Sequence, residues 1–332
     1  MPLSKHSVAM SQYQTAIYTR GDTLPSMDDG NFFHSPELFH IVERTPGQRP
    51  CMAVATDGQG RVVGHILVFL LRASWMPLLY WQAHAYGEGD YAEDVNSEEV
   101  FGLLLEALVR RLRRRLCFFI EFSDVSRKMF GYKYFRSQGF FPIPWQEIHN
   151  SLHSMDPHDR LQPKMLKKIE HAYQQGVETR EVTTEEDLDR FAHLVRGFYR
   201  WKVHRVVPPE KQIAELYLSD NGRLFATLYK GRLIGGCVCV YSEGNAYLWY
   251  LASLRKRYAW LHPAMMTVWQ AIIWAWKHNY AHIYFLDAGL PYPNNPFREF
   301  ILRFGGKPVA KYRWFRFSIG WLNKLLSWIW KE

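Results

Sequence analysis

The sequence predicts an α/β protein of the mixed-sheet, α+β kind, built from two similar halves. Three observations predict it. Strand-length apolar runs lie on either side of glycine turns: Met52–Thr56 and Val62–Leu71 flank Asp57-Gly-Gln-Gly60, and Gly231 opens a run to Tyr241 that is followed by a second, Ala246–Ser253. Each set is followed by a long helical pattern, then a short strand carrying an acid, Asp124 in one case and Asp287 in the other. Finally, Gly60-Arg-Val-Val-Gly64 recurs as Gly231-Arg-Leu-Ile-Gly235, each copy leading to an element with Phe and Gly. One supersecondary set used twice implies two similar domains side by side.

Bulk composition sets the frame. A chain of 332 residues is long for one core, which favours two domains. The 13 Trp exceed what one core absorbs, so some are expected to face a ligand, a partner or a membrane interface. A net charge of +9 points to anionic partners, namely phosphates, acidic lipid headgroups, nucleotides or RNA, without choosing among them. Cys51, Cys117, Cys237 and Cys239 all lie in apolar runs, so they are expected buried and reduced. No zinc spacing is present and no metal is expected. Met1 to Arg20 lacks an apolar signal core, and no run reaches the ~18 apolar residues of a spanning helix, so a cytoplasmic protein is expected.

In chain order, residues 1–30 read as loop plus one edge strand. Ser35-Pro36-Glu37 is a helix start with a cap, a proline at the first position and an acid in the first turn. Trp75–Tyr86 reads as strand plus loop, and Gly87–Asn96 as an acidic loop. Ser97-Glu-Glu99 opens a helix whose apolar face runs Phe101, Leu104, Leu105, Leu108, Leu112, Leu116. It ends in Arg110-Arg-Leu-Arg-Arg-Arg115, cations that either complement the helix dipole or bind phosphate or anionic lipid. Cys117–Phe122 is a strand. Asp156-Pro-His-Asp159 reads as a linker, Lys164–Gln175 as a basic helix stopped by Gly176, and Thr184-Glu-Glu-Asp187 as the start of another. Pro208-Pro209 precedes a shorter helix at about 210–219. Pro263 opens an almost uniformly apolar helix to about Asn279, best read as packed between two layers.

Residues 160–310 resemble the FemAB-type branch of the GNAT superfamily, also described as BioF-linked GNAT acetyltransferases. The resemblance is carried by Leu166-Lys-Lys-Ile-Glu-His-Ala-Tyr-Gln-Gln-Gly-Val177, Lys202-Val-His-Arg-Val-Val-Pro-Pro209, Gly231-Arg-Leu-Ile-Gly-Gly236 and Trp249-Tyr-Leu-Ala-Ser253. It continues through Leu261-His-Pro263, Trp269-Gln-Ala-Ile-Ile-Trp-Ala275, the strand with Asp287 and Phe300-Ile-Leu-Arg-Phe-Gly-Gly306. It implies two tandem GNAT-like domains, with boundaries at 1–155 and 156–318, and a C-terminal amphipathic helix at 319–332. It also implies transfer of an acyl or aminoacyl group from acyl-CoA (acetyl-CoA) or aminoacyl-tRNA to an amine of a cell-envelope precursor, such as a peptidoglycan precursor or lipid-linked acceptor. Nucleic acid is a partner only if tRNA is the donor.

Three departures accompany the resemblance. The family often has Lys after the first Phe of the last element; here that slot is Ile301, and the nearest cations are Arg298 and Arg303. The long helical hairpin of the tRNA-using enzymes has no room between Leu161 and Tyr217. The turn before the main helix, Leu254–His262, has no glycine where acyl-CoA enzymes of this kind carry a glycine-rich phosphate nest.

Candidate residues follow. Catalytic candidates are Asp287, a strand-end acid that either accepts the amine proton or caps a loop; Tyr250, a hydrogen-bond donor or a core aromatic; and His262, a base or a helix-start residue. Donor-binding candidates are Ser253, Arg255, Arg257 and Tyr258, whose cations replace the glycine nest or simply form a solvated basic loop. Acceptor-binding candidates are Arg205, Phe300 and Arg303. No Ser-His-Asp or Cys-His constellation is readable, which fits direct attack without a covalent enzyme intermediate. The competing class is a non-catalytic, degenerate GNAT pair acting as a membrane-associated binding protein. Ile319–Lys331 places Leu322, Leu325, Leu326 and Ile329 on one helical face flanked by Trp321 and Trp328, suited either to the inner membrane face or to docking on the protein body. Lys307, Lys311, Arg313 and Arg316 upstream are expected to add attraction to anionic lipid.

Overall fold

The computed structural model describes residues 12–27, 30–72, 81–113, 117–125, 129–200 and 208–330. Local chemistry sets the starts of several helices. Ser35 caps α1 (Pro36–Arg44) by accepting from the Leu38 N–H at 3.1 Å, and the chain then forms β2 (Gln48–Thr56) after an edge strand, β1 (Gln14–Tyr18). Gly60, at φ +83°, makes the turn into β3 (Val62–Arg72), a turn closed to side chains that resist positive φ. β4 (Trp81–Tyr86), β5 (Asp90–Tyr91), α2 (Ser97–Arg113), β6 (Cys117–Val125), α3 (Tyr132–Ser137) and β7 (Phe141–Ser151) follow.

The second half repeats that order. The expected linker at 156–159 is instead a short helix, α4 (Pro157–Arg160), because the Asp156 carboxylate caps it through the His158 N–H. Then come α5 (Pro163–Gln174), β8 (Val177–Glu181), α6 (Glu185–Tyr199) capped by Thr184, and α7 (Glu210–Leu218). β9 (Gly222–Tyr229), β10 (Arg232–Ser242) and β11 (Asn245–Ser253) form a meander whose first turn carries Gly231 at φ +71°. α8 (Pro263–Lys277), β12 (His282–Gly289), α9 (Pro296–Leu302), β13 (Lys307–Phe317) and α10 (Gly320–Ile329) complete it.

All these strands join one mixed sheet, in the order β1-β2-β3-β4-β6-β13-β7-β12-β11-β10-β9-β8, with β5 paired to β3. The order reads as two copies of one pattern that exchange a strand. β13 enters between β6 and β7, while β7 lies between β13 and β12. Gly60 and Gly231 occupy corresponding hairpins, as the repeat predicts. The described stretches of residues 51–140 form mixed sheet with a packed helix, since β4 and β6 run parallel and α2 lies on the sheet.

Three buried clusters hold the layers together. Trp314, fully buried on β13, stacks on Phe135 at 4.5 Å inside the cluster that α2 and α3 make with the first half's sheet. A second cluster, with α5, α8 and α9, covers one face of the second half, and Cys237 and Cys239 both enter it. The third lies between the halves, where α1, α6 and α7 contact β2 and β3 on one side and β9 and β10 on the other. Below, the face towards this third cluster is called inner, and the face under α5, α8 and α9 outer.

Candidate active site

The strands themselves open a cleft in the second half. β11 and β12 pair in parallel from Asn245–His282 to Leu248–Phe285 and then part. Each strand is irregular at that point. On β11, Tyr250 lies opposite Val238 and Leu248 opposite Cys239, so Trp249 is the extra residue of a bulge. On β12, the register to β7 slips between Phe285–Ile148 and Gly289–Gln146. Trp249–Ser253 and Leu286–Gly289 therefore line two diverging strand ends with no ladder between them.

The first half has no such opening. β4 and β6 stay paired from Trp81–Cys117 to Tyr86–Ser123, and the Gly87 N–H donates to the Ser123 carbonyl at 2.7 Å. The next turn is held from inside, with the Gly89 N–H 3.1 Å from the ring of fully buried His34.

On the inner side of the cleft, Tyr250 stacks on Trp249 with centroids 5.3 Å apart and meets Tyr199 edge-on. Burial, then the neighbouring Tyr86 and Tyr199, push its hydroxyl pKa well above the usual value, against a hydrogen bond from Gln212. The hydroxyl stays protonated at neutral pH and is a donor. The Trp249 indole N–H donates to the Tyr86 hydroxyl at 3.2 Å, linking the cleft to the first half. Asp287 lies in the slipped stretch of β12, at the cleft; its side chain is outside the described residues.

On the outer side, the turn after β11 leads into α8. Ser253 is buried, while Arg255, Lys256 and Arg257 are exposed. The N–H groups of Arg257, Tyr258, Leu261 and His262 all bond within the turn. A diphosphate here would meet these cationic side chains, as the glycine-free sequence suggests. Tyr258 points into the α8-side core, edge-on to Tyr229, so it shapes the turn instead of facing a ligand. Close packing fixes α8 against the sheet: a Cβ at Gly235 would sit 2.6 Å from Thr267 Oγ1 and 3.1 Å from the Pro263 carbonyl.

His262 adopts the left-handed conformation at φ 48°, ψ 49°, and its side chain makes no capping bond. Burial, then Lys168 and His171 of α5, lower its pKa. It is thus on the α5 side, while Tyr250 faces the layer between the halves. The structure does not bring these two together.

Of the acceptor-binding expectations, Arg205 lies outside the described residues. Phe300 packs edge-on against Phe304 beside the core, and Arg303 is exposed. Ile301 is fully buried, so the slot after Phe300 faces core, not cleft. Sequence reasoning gave Arg298 no role beyond a nearby cation. It is 5% exposed and clamps the loop after β12, donating to the carbonyls of Leu290, at 2.6 Å, and Tyr292.

A row of polar and aromatic side chains on the central strands was also missed. Tyr247 stacks on Tyr284 at 5.0 Å, and Tyr284 on His149 at 4.9 Å. Beyond them, Lys311 meets Glu147 at 3.4 Å, and Arg313 lies over the Trp145 ring at 4.0 Å while bonding Glu121 at 2.9 Å; His84 lies 3.4 Å from Glu121. The signal was present as charges two apart, Lys311 with Arg313 and Glu147 with His149, which a strand points to one face. Of the four cations expected to attract lipid, Lys311 and Arg313 are instead paired with buried carboxylates. Lys307 is exposed, and Arg316 donates through Nε to the neutral Gln138 carbonyl.

Comparison with known proteins agrees with this architecture. Residues 159–294 match the family model of the acetyltransferase (GNAT) domain. Among solved structures, FemX is similar at a TM-score of 0.62 and 11% identity, over 92% of this chain and 96% of that one. A tandem GNAT protein from the clavulanic acid biosynthesis pathway is similar at 0.58 and 12%, over 92% and 98%. The C-terminal domain of a putative lysylphosphatidylglycerol synthetase from Agrobacterium fabrum is similar at 0.56 and 11%, over 83% and 87%. At such identities the likeness shows the fold. No curated protein matches the sequence.

Proposed function

Because the chain carries a GNAT acetyltransferase domain within a tandem GNAT fold, we propose that it transfers an acyl or aminoacyl group to an amine of a cell-envelope precursor, at the cleft between β11 and β12. One observation carries the location: β11 and β12 part after Leu248 and Phe285, whereas β4 and β6 stay paired to Tyr86 and Ser123. The second half has parted strand ends where the first half keeps a ladder. On this reading residues 1–155 support a catalytic unit at 156–318, which borrows β7 to complete its sheet.

Each side of the cleft has its task. The donor, an acyl-CoA, enters from the outer side, its phosphates met by Arg255, Lys256 and Arg257. A donor of this class supplies an activated acyl carbonyl. The acceptor approaches along the inner row, where Tyr284, Glu147 and Lys311 offer an aromatic face and both charges. Its amine nitrogen bonds to the acyl carbonyl carbon, the bond from that carbon to the donor breaks, and the amine gives up a proton. Asp287 takes that proton and the protonated Tyr250 hydroxyl donates to the oxygen or leaving group that gathers charge. His262, on the α5 side, is left to the start of α8. The putative lysylphosphatidylglycerol synthetase among the similar structures supports a lipid acceptor, through fold alone.

Calorimetry with acetyl-CoA, paired with mass spectrometry of envelope precursors and lipids from a deletion strain, tests the proposal. Binding that weakens in Arg255→Ala/Arg257→Ala, together with an acylated amine missing from the strain, is expected. No donor binding and an unchanged envelope would overturn it.

A further inference from the structure

One end of the molecule gathers features that the transfer reaction does not use. β2 starts there at Gln48, paired with Leu71, β4 starts at Trp81 and β6 at Cys117. β13 ends there, with Phe317 opposite Phe119 and Phe315 opposite Phe141 at the start of β7. α10 leaves β13 at this edge. It is tied down on one side only: Asn323 accepts from the Phe317 N–H at 2.8 Å and donates to the Gly139 carbonyl at 2.9 Å.

The other side of α10 is apolar and open. Trp321, Leu325, Trp328 and Ile329 are 69%, 45%, 71% and 56% exposed. Their spacing of four, three and one puts them on a single helical face, with exposed Lys324 at its border. The expected stripe is thus divided: Leu322 and Leu326 turn towards the body, and the tryptophans, with Leu325 and Ile329, face out. A helix of this length spans roughly 15 Å, about half a bilayer core, so it suits lying along an interface.

Cations stand beside it. α2 ends at this edge, with Arg110 and Arg113 exposed, and Arg113 is close enough to Arg316 to lower its pKa, after burial. Arg111 from the same turn lines a cavity of about 490 Å³ with Arg49, whose guanidinium lies over the Trp81 ring at 4.8 Å. An apolar helix face rich in Trp and bordered by Lys and Arg is complementary to an anionic lipid surface, where Trp rings sit at headgroup depth.

We propose that this end, the outward face of α10 with Arg110, Arg113 and Lys324, binds the surface of an anionic lipid bilayer. It makes the protein a peripheral membrane protein whatever its substrate. The cleft opens towards the same end: β12 runs out at Gly289 opposite Gln146, five residues along β7 from Phe141 at the edge. That is roughly 17 Å of strand. A chain docked this way presents its cleft near the lipid headgroups.

Vesicle sedimentation with the full chain tests the proposal, using phosphatidylcholine vesicles with and without phosphatidylglycerol. Wild type is expected to sediment with the anionic vesicles and to be released by high salt. Leu325→Glu/Trp328→Glu is expected to abolish sedimentation. Arg110→Ala/Arg113→Ala is expected to weaken it about 30-fold, the loss of two interfacial cations. Circular dichroism and melting temperature check that both variants remain folded, and the arginine pair keeps the test valid if the α10 variant does not. Wild type that stays in solution, or sediments equally with both vesicles, overturns the proposal. So does a wild-type dimer in light scattering that Trp328→Glu dissociates without changing lipid binding, since α10 then pairs with a second copy.

Discussion

Acidification should loosen the first half through buried His34. His34 is fully buried on the turn Phe32–His34, its two ring nitrogens each 3.1 Å from an N–H donor, those of Leu67 and Gly89. Burial, then neighbouring His65, lowers its pKa from 6.5 to about 3, against a smaller raising effect of Asp90. A neutral ring has one lone pair, for one of these N–H groups, and a protonated ring has none. The unfolded chain takes up this proton near pH 6.5 and the folded chain only near 3, so between them the unfolded state holds more protons. Stability is therefore complete above pH 6.5 and falls as pH drops, by about 1.4 kcal/mol per unit, or roughly 2.7 kcal/mol by pH 4.5. Urea denaturation from pH 7.5 to 4.5, on wild type and His34→Gln, reads this slope as a difference that cancels the common carboxylates. The variant is expected to start less stable and to lose less on acidification. Equal slopes would refute the account, showing that His34 protonates in the folded chain without penalty.

Three further outcomes are expected. Asp287→Asn should lower transfer strongly with little change in melting temperature; activity kept within about threefold, roughly 0.65 kcal/mol, would remove Asp287 from the chemistry. Gly235→Val should cost about 1–3 kcal/mol and weaken donor binding, because Thr267 and Pro263 already fill the Cβ position; calorimetry and thermal melts check both effects. Trp314→Ala should cost about 3–5 kcal/mol in urea denaturation, since it empties a buried site stacked on Phe135, and a loss under 1 kcal/mol would contradict that packing.

What was legible in the sequence is what local chemistry writes there. Ser35 and Thr184 cap their helices as their neighbours suggest, because a hydroxyl three residues before an amide N–H needs no distant help. The glycine turns at Gly60 and Gly231 are likewise local, and together they exposed the repeat. The exchange of β7 and β13 was not legible. A strand's side chains show which face is buried but not which strand lies beside it, and Trp314 looks the same in either half's core. In the candidate site, Tyr250 and the basic turn at 255–257 could be marked, whereas the bulge at Trp249 could not, since it is a property of paired strands. Ile301, noted as a departure from the family's Lys, is fully buried, which its apolar side chain fits.

The strand exchange also sets a schedule for synthesis. β6 and β7 emerge from the ribosome long before β13, which fills the slot between them only after roughly 160 more residues. At about 5–20 residues per second, that slot waits roughly 8–32 s with two unpaired strand edges. Open edges of this kind recruit other strands. A ribosome pausing between residues 151 and 307 would lengthen that exposure.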